Sequence, residues 1–190
     1  MIFTAFDFLK KQIQGYLDQL PDNNATQDKI HLSPLVDENG KTIIENIGLT
    51  LVNIEEEKLL RNQKSFEPTS SGSFIKVNPE INLNLFFLVT ANFGTTEDNY
   101  IVALKRLTNI ATYFQNHLVF NHKNSPSLDK GIDHLTIEMV NLSFEAQNNL
   151  WASLGAKYLP SILYKLRMVT LLEKEALSEA PPITEANLIV

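Results

Sequence analysis

The stretch Ile81 to Ala91 constrains this chain more than any other. Its odd positions Ile81, Leu83, Leu85, Phe87, Val89 and Ala91 are all apolar. Its even positions are polar at the ends (Asn82, Asn84, Thr90) and apolar in the middle (Phe86, Leu88). Strict alternation is the period of a strand, and a middle that is apolar on both sides requires a sheet covered on both faces. The chain must therefore build layers of helix around a sheet. Its 190 residues suffice for one such domain, and 44% hydrophobic with 20% charged residues is a globular balance.

The segments around this strand supply the layers. Ile2, Phe6, Leu9, Ile13, Tyr16 and Leu20 recur at helical spacing and predict an N-terminal amphipathic helix, stopped by Pro21-Asp22-Asn23-Asn24. Ile30 to Val36, broken by Pro34, suits an edge strand, and Asp37-Glu38-Asn39-Gly40 a turn. Ile47 to Ile54 reads as a strand with Ile47, Leu49 and Leu51 on one side. Gly94-Thr95-Thr96-Glu97-Asp98 starts a helix whose apolar face is expected at Tyr100, Leu104, Leu107, Ala111 and Phe114. His117 to Phe120 is a short strand, and Ile132 to Leu142 a longer one burying Leu135, Ile137 and Met139. Asn141 and Ser143 cap a helix from Phe144 to Leu154 that buries Phe144, Trp151 and Leu154 and ends at Gly155. Ser161 to Leu172 is a last strand, with Ile162, Tyr164, Leu166 and Met168 facing one way and Lys165 and Arg167 the other. The expected fold is α+β: a central mixed or antiparallel sheet of about five strands flanked by about three helices. Residues 1–172 form the domain, and 173–190, acidic and interrupted by Pro181-Pro182, form an arm.

Chemistry is sparse along the chain. With no cysteine there is no disulfide, thiolate metal site or cysteine nucleophile. His31, His117, His122 and His134 form no helical ligand pair with a glutamate, and no phosphate-cradling or nucleophile-elbow glycine motif occurs. Glu55, Glu56 and Glu57 are consecutive, so their side chains diverge as a solvated run. No catalytic residue, metal or cofactor is expected. The net charge of −6 argues against nucleic acid and anionic membrane as partners, and no apolar run is long enough to span a bilayer. What remains is contact chemistry: Arg61 and Asn62 after the second strand, Lys165 and Arg167 on the last one, and Glu173, Glu175 and Ile183 in the arm. The face carrying Lys165 and Arg167 is expected to be wet or to pair with acids from another chain, such as those of its acidic arm.

Three stretches resemble one known family. Asn78-Pro79-Glu80, running into the alternating leucines and ending Phe87-Leu88-Val89-Thr90-Ala91, is similar to its central signature. Arg61-Asn62 resembles its Arg-Asn element. Leu150-Trp151, then Tyr158-Leu159-Pro160-Ser161 and Tyr164, resembles its third signature. The family is that of the small tail-terminator, or cap, proteins of contractile injection systems, as in the N-terminal domain of the Photorhabdus-virulence-cassette-type cap. This chain has one proline where the family often has two, Phe87 where tyrosine is commoner, and Leu159 where a basic residue is usual. The resemblance implies an α/β-type terminator fold and a structural, non-enzymatic role. It implies a hexameric ring on the distal end of the inner tube that ends tube and sheath growth and holds the last sheath layer. The implied partners are copies of itself, the inner tube protein, the sheath protein and a second cap paralogue. The implied place of assembly is the bacterial cytoplasm, in a particle either released or membrane-anchored. An adaptor ring at the baseplate or a tube junction is the alternative role.

Overall fold

The computed structural model describes residues 1–21, 28–57, 66–68, 74–76, 82–170 and 178–180. The elements run α1 (Ile2–Leu17), β1 (Ile30–Leu32), β2 (Asn46–Glu56), β3 (Phe66–Pro68), β4 (Phe74–Lys76), β5 (Asn82–Asn92), α2 (Glu97–Asn116), β6 (Val119–Asn121), β7 (Ile132–Met139), α3 (Phe144–Ser153), β8 (Ser161–Thr170) and β9 (Ser178–Ala180). The fold is α+β. The central sheet has six strands in the order β1-β2-β5-β8-β7-β6, one more than the sequence suggested, and β3-β4-β9 form a separate small sheet. Ile30–Leu32 and Val119–Asn121, three residues each, both find a partner and form the two outer strands. The central sheet is mixed: β1 pairs parallel to β2, and every other pairing is antiparallel. Of the segment expected to form an arm, Ser178–Ala180 pairs with β4, and the remainder of 171–190 lies outside the described residues.

β5 sits inside the sheet and separates two cores, as its doubly apolar middle requires. Leu85, Phe87, Val89 and Ala91 face the larger core with α1 and α2, while Leu88 faces a smaller one with Leu35, Ile44, Trp151 and Leu163. Phe87 anchors the large core, edge-on to Phe6 and Phe114 and stacked on Tyr164. The polar ends of β5 are not solvated, for Asn82, Asn84 and Thr90 are all buried. Opposite Thr90 lies Gly48, where a Cβ would meet Thr90 Oγ1 and Ile44 Cδ1, each at 2.6 Å.

The helix starts follow the expected chemistry. Thr96 Oγ1 accepts from Asn99 N at 3.3 Å, and Ser143 Oγ accepts from Ala146 N at 3.2 Å. Gly155 closes α3 at φ +63, a conformation that favours glycine.

The phase of α2 differs from the expected stripe. It buries Ala103, Leu107, Ile110 and Phe114, and leaves Tyr100 and Leu104 exposed. Arg106 made the true inner face look polar, yet this guanidinium is buried against Asp28, Nε to Oδ1 at 2.8 Å. Two further apolar residues expected inside are outside: Met139, just where β7 ends, and Phe144, the first residue of α3. Leu51 is likewise exposed, although it still pairs in register with Phe87; the ladder of β2 shifts only after it, between Leu51 and Asn53.

Candidate functional site

Of the residues singled out in the sequence, Lys165 and Arg167 can be placed. Both reach Glu138 on the neighbouring strand β7, Lys165 Nζ at 2.7 Å and Arg167 Nη2 at 3.4 Å. The acid that meets this basic face thus comes from the same chain. The hydrogen bond from Lys165 holds the Glu138 carboxyl below its ordinary range; partial burial opposes this, and the charges of Lys165 and Arg167 add to it. Arg61, Asn62, Glu173, Glu175 and Ile183 lie outside the described residues. His117 Nδ1 donates to Tyr113 O at 2.9 Å and its ring stacks on that of Tyr113, and His134 pairs with Asp133. Among the described residues, no three histidines, aspartates or glutamates converge as metal ligands do.

The outer strands of the central sheet are blunted. On β6, Asn124 Nδ2 donates to Val119 O at 2.8 Å and its Oδ1 accepts from Asn121 N at 2.9 Å, while Ser125 N donates to Asn121 O. One side-chain amide thus occupies the place a neighbouring strand's peptide would take. At the other edge, β1 covers only Ile47–Leu49 of β2. The uncovered length of β2 carries the register shift, exposed Glu55 and Glu56, and an Ile54 N–H bonded by Asn53 Oδ1 at 2.9 Å. Bulges, charges and local side-chain bonds are the devices that keep a sheet edge from recruiting another strand.

Among the described residues there is also a largely apolar groove, which sequence reasoning missed. A groove of about 790 Å³ opens between α2 and the ends of β7 and β8. Leu104, Thr108 and Ala111 form its helix wall, and Phe114, Ile162 and Tyr164 lie deeper. None of its lining residues is charged. Its rim stays open to solvent: Leu104 is 43% exposed, Leu118 53% and Met139 53%. The buried Tyr164 hydroxyl has no hydrogen-bond partner, and burial pushes its pKa up to about 12. The available signal was the misfit between two overlapping helical stripes on α2, one of which had to face outward.

Comparison with known proteins follows this geometry. No curated protein sequence matches the chain. Two solved structures share its fold. One is the PVC sheath/tube terminator of an extracellular contractile injection system in its extended state, with a TM-score of 0.62 and 19% identity over 100% of this chain and 63% of that one. The other is the anti-feeding prophage cap, a tube-terminating cap, with a TM-score of 0.60 and 18% identity over 98% of this chain and 60% of that one. The chain therefore spans less than two thirds of either of these proteins. The sequence pattern of the Pvc16 N-terminal domain matches residues 6–185, and the chain belongs to that family.

Proposed function

We propose that this chain is a cap, or tail terminator, of a contractile injection system. The observation that carries the reading is the match of one family pattern to residues 6–185 together with a fold shared, over nearly the whole chain, with a sheath/tube terminator and a tube-terminating cap. The role is mechanical. Copies of the chain form a hexameric ring on the distal end of the inner tube, stop its growth and hold the last sheath layer. Tube protein, sheath protein and a second cap paralogue are its partners. Arg61, Asn62, Lys165, Arg167, Glu173, Glu175 and Ile183 contribute contacts, with Lys165 and Arg167 presented as a unit with Glu138. Assembly takes place in the bacterial cytoplasm without insertion into a membrane; no helix among the described residues is long and apolar enough to cross one.

Removal of the gene from a particle-producing strain tests this. Electron microscopy should then show tubes of uncontrolled length, and an epitope-labelled copy should restore uniform length with label at the end away from the baseplate. Uniform tubes without the protein would refute a terminator, and label at the baseplate end would replace the cap by an adaptor ring.

A further inference from the structure

A ring closes through heterologous contacts, in which two different patches of the same chain meet. This inference rests on the ring reading in that respect, and it names the two patches. Extension of one sheet by the next is disfavoured, since Asn124 occupies one edge and the register shift, Asn53 and the glutamates blunt the other. The uncharged groove beside α2 is the recess, and its counterpart is on the same molecule.

Phe144 is 92% exposed, an unusual position for an aromatic side chain. Its backbone is set by the helix it opens, whose N-cap, Ser143, is bonded. Leu142 beside it is also exposed. The knob and the groove lie on opposite faces of the sheet. Tyr164 and Leu166 of β8 point to the α2 core, whereas Leu163 points to the core of α3 and Trp151. Two copies can therefore meet knob to groove in the same sense repeatedly, with neither patch consumed by a two-fold pair.

Charge gives the same pairing. Lys105 follows Leu104 on α2, bordering the groove without lining it, and Glu145 follows Phe144 on the knob; both are exposed. Neither has an ion-pair partner among the described residues. We propose that Phe144 of one copy seats in the groove between α2 and β8 of the next, with Glu145 opposite that copy's Lys105.

The absence of cysteine makes the contact directly testable. Full-length Lys105→Cys and Glu145→Cys copies are co-produced in particle-assembling cells and treated with a short bismaleimide. The mixture should give a cross-linked dimer, neither variant alone should, and the two substitutions in one chain should give a ladder of higher oligomers. Phe144→Ala should lower the yield at least about tenfold, and Phe144→Leu should retain most of it. Being fully surface changes, these leave folding intact. No dimer from the mixture, equal dimer from Glu145→Cys alone, or an unchanged yield with Phe144→Ala each overturns the proposal. Label position on the tube is read separately, so tube-end label without cross-linking rejects this contact alone, and cross-linking without tube-end label rejects the cap alone.

Discussion

Arg106→Met is the substitution with the clearest expected consequence. Arg106 and Asp28 lie 78 positions apart, with side chains 5% and 1% exposed and Nε and Oδ1 at 2.8 Å. Around them the main chain is also committed: Gln14 Nε2 donates to Asp28 O at 2.8 Å, and Gln14 Oε1 accepts from Ile30 N at 3.1 Å. The pair thus joins α1, α2 and the approach to β1, and Asp28 has little room to swing to water. Removing the guanidinium strands a buried carboxylate, a change that costs about 3 to 5 kcal/mol. With a urea slope of about 2 to 3 kcal/mol per molar, the unfolding midpoint should fall by about 1 to 2.5 M without a change in slope. The fluorescence of Trp151, the single tryptophan, is a convenient probe because it is buried in the other core and reports on the whole domain. Adding Asp28→Asn removes the stranded charge and should recover at least half of the loss. A loss under about 1 kcal/mol for Arg106→Met, or no recovery in the double variant, would show that the pair is solvated and the reasoning wrong.

Two further outcomes follow from single positions. Gly48→Ala should destabilise by about 1 to 3 kcal/mol, since its Cβ meets Thr90 and Ile44 at 2.6 Å; a thermal midpoint equal to wild type would mean the β2–β5 contact is looser than described. The Tyr164 phenol, pushed up to about 12, should titrate in ultraviolet difference spectra well above the ordinary phenol range. The unfolded chain loses this proton near pH 10 and the folded chain retains it, so stability should fall as pH rises through that window, by about 2 to 3 kcal/mol at most. Tyr164→Phe should abolish that part of the decline and be close to neutral at pH 7; an unchanged alkaline profile would place the hydroxyl in water.

The local features were legible because they are written in adjacent residues. The strand at β5, the caps at Thr96 and Ser143, the stop at Gly155 and the outward pair Lys165 and Arg167 each depend on a few neighbours in the chain. Trp151 was expected in the core and is there. The groove beside α2 was not legible in the same way. Tyr100 and Leu104 on α2 have as good a claim to the core as Ala103 and Ile110 when only spacing is read. The phase is decided by Asp28, which makes it favourable for Arg106 to point inward and so turns Leu104 out. Met139 and Phe144 are exposed for a related reason: the sheet ends and α3 begins before anything covers them.

Periodicity and capping chemistry thus settle, without any coordinates, that this is a layered α+β domain with β5 at its centre. Short-range sterics and solvation favour one backbone state for each such segment. The order β1-β2-β5-β8-β7-β6, the parallel placement of β1, the turning out of Leu104 and Phe144 and the closing of the β6 edge by Asn124 belong to the tertiary structure. Each depends on which distant segments compete for the same buried surface and hydrogen bonds, and that competition is resolved only when the whole chain is packed.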